Sequence, residues 1–129
     1  MQIQDYQNLK QCDLKSLKNL AQEIRSFILE SVHKQGGHVA SNLGMVEITL
    51  GIAQVFDLDQ DTVIFDTSHQ SYTYKLLTRR SEDLPTIRTF GGLSGFTDPV
   101  ESTYDKYYAG HAGTGLSLAY GEAMARKLK

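Results

Sequence analysis

The segment Thr62-Val63-Ile64-Phe65-Asp66-Thr67-Ser68-His69 decides the fold class that the sequence predicts. Its first four residues are β-branched or apolar, a pattern typical of a strand buried on both faces of a parallel sheet. His69 then lies just past the carboxyl end of that strand, where ligands bind in open α/β sheets. The segment therefore predicts an α/β protein with a functional site after this strand.

Helical patterns lie on both sides of the predicted strand. Asp13 is a good N-cap, and apolar residues then recur at three- and four-residue steps until Gly36 and Gly37, which predicts an amphipathic helix. Residues 45–56 predict a buried helix whose one carboxylate, Glu47, needs the backbone or a histidine as partner. We expect further helices at 70–77, 84–89 and 113–128, the last with small residues, such as Gly115 and Gly121, that allow close packing.

A second strand is hard to find in the chain. Residues 106–108 give only a weak strand signal, and a parallel sheet cannot be built from one strand. The chain also reaches a basic helix end at 125–129, where an α/β protein would turn into its next strand. We therefore expect residues 1–129 to be a single partial domain, mostly helical, that forms the incomplete amino-terminal portion of a parallel-sheet domain.

Composition excludes several classes of protein. Of the 129 residues, 40% are hydrophobic and 22% charged, and the net charge is -2, as in a globular protein without a basic nucleic-acid footprint. The first residues lack a secretory pattern, and no stretch is long and apolar enough to span a bilayer. One cysteine, Cys12, excludes an internal disulfide framework and favours a reducing compartment. We expect a cytoplasmic protein without nucleic-acid or membrane partners.

Three histidines lie among small residues that let a ligand approach. His38 lies in Gly-Gly-His-Val-Ala-Ser-Asn-Leu-Gly at 36–44, His69 follows the predicted strand, and His111 precedes the last helix. Imidazole exchanges protons near neutral pH, and a helix N-terminus binds phosphate. Each histidine also has a structural interpretation: a loop or helix-cap residue at 38, a satisfied turn residue at 69, and the end of a loop at 111.

Other polar and glycine-rich segments favour structural interpretations. Residues 91–96 are typical of a tight loop. The tyrosines at 104, 107 and 108 are predicted to pack at an interface. Lys75, Arg79 and Arg80 predict a solvated charged face, with attraction of a phosphorylated substrate as the alternative.

Five ordered motifs resemble the amino-terminal region of the 1-deoxy-D-xylulose-5-phosphate synthase family, thiamine-diphosphate enzymes of the transketolase superfamily. The motifs are the box at 36–44 with Val46-Glu47, the Asp-x-x-His-Gln-x-Tyr box at 66–72 with residues 75–78, the glycine segment at 91–96, Glu-Ser and Tyr-Asp within 101–105, and Gly110-His111. They cover nearly the whole chain in the family's order.

The resemblance implies a transferase that condenses pyruvate with glyceraldehyde 3-phosphate, releases carbon dioxide and serves isoprenoid (terpenoid) and thiamine biosynthesis. It implies thiamine diphosphate and Mg²⁺ as cofactors of a complete, homodimeric enzyme. By resemblance, His38 is a catalytic histidine that assists proton transfer, and His69 is catalytic and lies beside the cofactor. Gly110, His111 and Ala112 would supply further cofactor contacts.

Several features depart from the family pattern. The usual Gly-His-Ser-Ser-Thr-Ser is replaced at 110–115 by Gly-His-Ala-Gly-Thr-Gly, which removes hydroxyl donors, and Thr67-Ser68 stands where many members carry Val-Gly. The family's Gly-Asp-Gly motif with its asparagine, and its activating glutamate, are not among these 129 residues. We therefore expect an amino-terminal segment, inactive alone, that acts with the remaining synthase chain or as a homo-oligomer. The alternatives are a non-catalytic interaction or self-association module and a subunit of a split transketolase-like enzyme.

Overall fold

Helices dominate residues 6–128, the part of the chain that this computed structural model describes. In chain order the elements are a 3-10 helix at Tyr6–Gln11, α1 (Leu14–Gln35), α2 (Ala40–Leu43), α3 (Val46–Val55), α4 (Tyr72–Lys75), a π-helical turn at Leu76–Arg80, a 3-10 helix at Leu84–Thr86 and α5 (Gly115–Leu128). The mostly helical character predicted for this segment is confirmed. Residues 1–5, part of the stretch from which we predict no export signal, and residue 129 lie outside the described range.

The predicted strand at 62–65 is wrong, because residues 6–128 contain no β-strand. Residues 62–65 form an irregular segment. Residues 63–65 line a narrow cleft together with residues 97, 105–107 and 109. Phe65 is buried, but the three residues before it are only half-buried. A strand exists only when a neighbour completes its ladder of hydrogen bonds, and the weak strand predicted at 106–108 is not formed either. The parallel sheet stays a prediction.

Helix α1 begins and ends where the sequence predicts. The Asp13 side chain accepts a hydrogen bond of 2.8 Å from the Ser16 backbone N–H, which satisfies a free amide of the first turn. Gly36 ends the helix at φ 77°, a left-handed conformation that favours glycine, and its N–H donates to the Val32 carbonyl at 2.8 Å. The cap at Asp13 and the stop at Gly36, both local in sequence, therefore determine the two ends of α1.

One face of α1 is buried through the apolar residues Ala21, Ile24, Ile28 and Val32. Ala21, Ile24 and Ile28 belong to the apolar spacing that predicts the helix, whereas Leu14, which belongs to it too, is exposed. The four buried residues share a core with α3, α4 and the 3-10 helix at Tyr6–Gln11. Tyr6 is fully buried, and its hydroxyl donates to the Asp57 carboxylate at 2.7 Å. Burial raises the pKa of the Tyr6 hydroxyl, because the phenolate would lose its hydration. The core lies directly beneath α4, so that Tyr72 and Tyr74 are also fully buried.

Helix α3 is buried on one face only, unlike the helix buried on most sides that the sequence predicts. Val46, Leu50 and Ala53 are buried, whereas Ile48 and Val55 are exposed. Glu47 is exposed as well, and the prediction of a buried acid bonded to backbone or histidine is wrong.

Arg25 of α1 is the partner that Glu47 finds instead. The Arg25 guanidinium donates two parallel hydrogen bonds of 2.5 Å to the carboxylate, and a third of 3.3 Å to the Leu43 carbonyl. The hydrogen bonds from Arg25 lower the pKa of Glu47. The pair ties α1 to the start of α3 at the surface of the molecule.

Helix α5 is the least buried long helix among the described residues, with only Gly115 inside. A Cβ at Gly115 would lie 3.0 Å from the Asp66 Cβ, so the predicted close packing occurs there. It does not occur at Gly121, where nothing lies within 4 Å of the Cβ position. Leu116, Tyr120, Met124 and Leu128, four residues apart, form an exposed apolar stripe.

Polar contacts hold α5 against the rest of the chain. The Tyr107 hydroxyl donates to Glu122 at 2.8 Å, and Arg126 donates to the Thr62 hydroxyl at 2.9 Å. Tyr107 is half-buried, whereas Tyr108 is exposed, so the interface role predicted for these tyrosines stays a prediction. None of the helices within residues 6–128 combines the length and apolarity needed to cross a bilayer.

Candidate active site

His38 and His69 lie side by side, as the sequence motifs predict for residues of one site. Their ring centroids are 4.9 Å apart, with the ring planes at 61°. His38 lies two residues before α2 and His69 three residues before α4, so both project from loops that enter short helices. Phe96 completes the group, with its ring centroid 5.8 Å from that of His38. Packed against an apolar ring and a second imidazole, His38 is half-buried.

Asn42, a residue that the sequence analysis did not single out, joins the two histidine loops. Its side chain is fully buried, and Nδ2 donates to the backbone carbonyls of His38 at 2.7 Å and His69 at 2.8 Å. Its Oδ1 accepts the Tyr72 backbone N–H at 2.9 Å. The motif at 36–44 contained this residue, but sequence alone could not show what it contacts.

Tyr72 contacts His38 through its hydroxyl. The oxygen accepts the His38 backbone N–H at 3.4 Å and lies 3.4 Å from the His38 Nδ1. A glycine is required next to this contact, because a Cβ at Gly37 would lie 3.0 Å from the Tyr72 hydroxyl and 3.3 Å from Val32. The Gly-Gly of the motif thus lets the buried phenol reach the histidine.

The environment of His38 lowers its pKa. Burial removes hydration from the imidazolium, and the positive charges of His69 and Arg88 oppose protonation further. His38 is therefore neutral at pH 7, with one nitrogen able to accept a proton and the other able to donate one. A neutral imidazole can act as a general base.

The turn before His69 holds two residues in the left-handed region, Thr67 at φ 68° and Ser68 at φ 64°. Side chains other than glycine lose about 1–2 kcal/mol each in this conformation. Ser68 offsets part of that cost with its buried hydroxyl, which accepts the Thr97 N–H at 3.0 Å and donates to the Ala109 carbonyl at 3.4 Å. The turn thereby connects the His69 loop to two later segments.

Lys75 and Arg80 belong to a buried ion cluster, so the predicted solvated face is wrong for both. Lys75 Nζ lies 2.5 Å from Glu101, and Arg80 binds Asp105 through two hydrogen bonds of 2.7 and 3.0 Å. Glu101 also lies 3.6 Å from Arg80 and accepts the Ser94 backbone N–H. Burial lowers the pKa of Lys75. The carboxylates come 25 and 26 residues later in the chain, and a local charge pattern does not reveal them.

The ion cluster holds the loop that carries Phe96. Residues 91–96 turn tightly, as predicted, with the Arg88 N–H donating to the Leu93 carbonyl at 2.6 Å. A Cβ at Gly92 would lie only 2.2 Å from the Thr86 carbonyl oxygen, so glycine is required there. The loop returns toward the site at Phe96.

His111 lies apart from the histidine pair. Gly110 and His111 are exposed and line an open cavity of about 580 Å³ formed by residues between 108 and 118. This volume falls in the range of small-molecule sites. Neither His38 nor His69 is among the residues that line it.

The Asp66 carboxylate binds backbone amides at the start of α5, where the sequence predicts that phosphate binds. Its carboxylate accepts the Gly113 N–H at 2.8 and 3.0 Å and the Gly115 N–H at 3.3 Å. The amides of Gly113 and Gly115 lower the pKa of Asp66. The amides therefore do bind anionic oxygen, but within the chain that oxygen comes from Asp66.

A metal site is not formed among the described residues, since residues 6–128 bring together no group of three His, Cys, Asp or Glu side chains suited to a cation.

The sequence profile of the 1-deoxy-D-xylulose-5-phosphate synthase family matches residues 1–129. The chain belongs to this family. The resemblance inferred from the five ordered motifs is thereby confirmed.

Curated members of the family match over nearly the whole chain. The 1-deoxy-D-xylulose-5-phosphate synthase of Dictyoglomus turgidum is 50% identical over 127 residues, which is 98% of this chain and 21% of that protein. Those of Clostridium kluyveri (50% over 125 residues) and Aliarcobacter butzleri (52% over 122 residues) are matched over 97% and 95% of this chain and 20% of their own lengths. The chain spans about one fifth of the length of these synthases.

Proposed function

We propose that this chain supplies the two-histidine part of the active site of a thiamine-diphosphate-dependent transferase, which condenses pyruvate with glyceraldehyde 3-phosphate and releases carbon dioxide. The observation that carries the proposal is the meeting of His38 and His69, with ring centroids 4.9 Å apart. Membership in the 1-deoxy-D-xylulose-5-phosphate synthase family supports the reaction and its place in isoprenoid and thiamine biosynthesis.

The proposed role of the two histidines is proton transfer and orientation. Thiamine diphosphate, when bound, supplies the carbanion chemistry. Neutral His38 accepts a proton at one ring nitrogen and returns it later, and its lowered pKa keeps it ready to do so at neutral pH. His69 holds the reacting groups from the other side, and Phe96 limits access of water to His38.

The residues at 110–115 fit an anionic group in part. Gly113 and Gly115 bind the carboxylate of Asp66, so their amides point at a position where a diphosphate oxygen would be stabilised. Gly110, His111 and Ala112 lie beside them and are exposed, with open space around Gly110. A diphosphate held here would have to displace Asp66, which weakens its binding to this chain alone.

The complete enzyme would provide what these residues do not. The remaining synthase chain would provide the further strands of the predicted parallel sheet and ligands for Mg²⁺. We propose that the chain works in the cytoplasm as one part of a homodimeric synthase, folded as a partial diphosphate-binding α/β domain, and that it is inactive alone.

A chimeric synthase tests the catalytic role of the two histidines. The 127 matched residues of this chain would replace the corresponding segment of the Dictyoglomus turgidum synthase, and formation of 1-deoxy-D-xylulose 5-phosphate would be measured. We expect turnover in the chimera and a loss of about 100-fold or more in His38→Ala and His69→Ala, the size typical of general acid–base groups. His33→Ala, an exposed helix residue, is the control. Normal turnover in both site variants would overturn the role.

A second candidate function is a non-catalytic interaction module, which the exposed stripe Leu116, Tyr120, Met124 and Leu128 favours. The melting temperature of the chain with and without thiamine diphosphate and Mg²⁺, together with its mass in solution, distinguishes the two. A saturable rise in melting temperature requires binding to the folded state and supports the catalytic proposal. An unchanged melting temperature in an oligomeric chain supports the interaction module.

A further inference from the structure

The side chain of Asn42 makes three hydrogen bonds, which use both of its donor positions and one of the two acceptor positions of Oδ1. Both Nδ2 protons are donated to carbonyls, at 2.7 and 2.8 Å, and Oδ1 accepts one amide at 2.9 Å. Rotating the amide group by 180° would set Nδ2 against the Tyr72 N–H and Oδ1 against two carbonyl oxygens. The contacts therefore permit a single orientation of a fully buried side chain, and such satisfied groups are rigid.

That orientation fixes two loops that are otherwise distant in sequence. The carbonyls that Asn42 binds are those of His38 and His69 themselves, so the backbone of each histidine is held from the same amide group. The two rings, 4.9 Å apart, project from these two anchored positions of the backbone.

Tyr72 adds a constraint on the ring of His38. Its oxygen accepts the His38 backbone N–H, so its own proton is free to point at Nδ1, 3.4 Å away. A donor at Nδ1 places the proton of neutral His38 on Nε2, the nitrogen on the far side of the ring. The Tyr72 backbone is in turn bound to Asn42.

We propose that Asn42 and Tyr72 are positioning residues for the histidine pair: Asn42 sets the separation of His38 and His69, and the Tyr72 hydroxyl sets the tautomer and orientation of His38. That this positioning serves catalysis rests on the proposed function. The positioning itself is measurable in this 129-residue chain without cofactor or substrate.

Histidine titration by NMR tests the role of Asn42. The groups that face His38 are His69, Arg88 and the Tyr72 hydroxyl. In the parent chain, His69→Gln removes a charge that opposes protonation, so the titration midpoint of His38 shifts upward. In the Asn42→Ala background we expect the same His69→Gln change to produce no shift, because the rings are no longer held together. Asn19→Ala, an exposed asparagine of α1, is the control. An undiminished shift in the Asn42→Ala background would overturn the proposal.

Tyr72→Phe tests the proposed role of the Tyr72 hydroxyl. This variant keeps the proposal testable if Asn42→Ala does not fold. In Tyr72→Phe we expect the share of the Nε2–H tautomer in neutral His38 to fall, because the donor at Nδ1 is gone. We also expect the titration midpoint of His38 to rise, because the neutral form loses a hydrogen bond. Tyr74→Phe is the matched control: it removes a hydroxyl that is also buried and hydrogen-bonded, but to the Tyr104 carbonyl. Equal ¹⁵N shifts of His38 in parent and Tyr72→Phe would refute the role of the hydroxyl.

The experiments can reject the catalytic proposal and the positioning proposal independently of each other. An inactive chimera with the coupled titration present would reject the catalytic function and keep the positioning. An active chimera whose histidines titrate identically in Asn42→Ala, Tyr72→Phe and parent would keep the function and reject the positioning.

Discussion

Replacing Asp105 by asparagine removes one charge from the buried ion cluster while keeping the size of the side chain. Arg80 loses a carboxylate bound at 2.7 and 3.0 Å, and its guanidinium stays buried. Breaking one partner of a buried ion pair costs about 3–5 kcal/mol. Glu101, 3.6 Å from Arg80, retains part of the compensation, so we expect the low end, about 3 kcal/mol.

A loss of this size is large against the total stability of a domain, about 5–15 kcal/mol. For a chain of this length it corresponds to a fall in melting temperature of roughly 12 °C. Thermal unfolding followed by circular dichroism, with urea unfolding to check that the m-value is unchanged, measures it. Glu122→Gln is the matched control, because Glu122 pairs with an exposed Arg126 and exposed pairs contribute little.

The comparison of these two variants decides whether the ion cluster stabilises the fold. If Asp105→Asn lowers the melting temperature no more than Glu122→Gln does, the cluster is solvated and the account of the loop at 91–96 is wrong. Near-UV spectra then separate a loosened loop from global destabilisation, since Phe96 and Tyr74 lie close to the cluster and the site.

Three further predictions follow from the site. Ser68→Ala should destabilise the chain by about 1–3 kcal/mol, because the Thr97 N–H loses its acceptor. Ser68→Gly should cost about 0.5–1 kcal/mol less than Ser68→Ala, because glycine relieves the left-handed strain. Identical melting temperatures of the two variants would exclude strain at this position. His38 has a lowered pKa in the folded chain, so the unfolded chain binds more protons below pH 6.5 and stability should fall as the pH drops from 7 to 5. His38→Gln should flatten that profile, and an unchanged slope would contradict it. Asp66→Ala frees the amides of Gly113 and Gly115, so pyrophosphate should raise the melting temperature more than in the parent; an equal rise would argue against an anion site there.

The parts of the fold that the sequence predicted well are those that local chemistry determines. Helix α1 needs only the cap at Asp13, a regular apolar spacing and the stop at Gly36, and all three are visible in consecutive residues. The strand at 62–65 depends on a partner segment, and residues 6–128 offer none that pairs with it. A pattern of β-branched residues cannot supply that partner.

The residues of the candidate site also fall into those that local motifs reveal and those whose partners are distant in sequence. His38 and His69 could be singled out because each lies in its own motif, and the structure brings them together. Asn42 and Asp66 were missed as contacts because their partners are 27 and 47 residues away. Lys75 looked solvated for a related reason: its carboxylate partner comes much later in the chain.

Helix α5 contributes little apolar burial to the folded state, and this has a consequence for hydrogen exchange. Its attachment depends on the Asp66 carboxylate at one end and on side chains of Tyr107 and Thr62 along its length. Such contacts allow the helix to detach without unfolding the core. Its amides should then exchange through local opening, while those of α1 exchange only when the whole chain unfolds. A surface that covers the apolar stripe would therefore slow exchange in α5 and leave α1 unchanged.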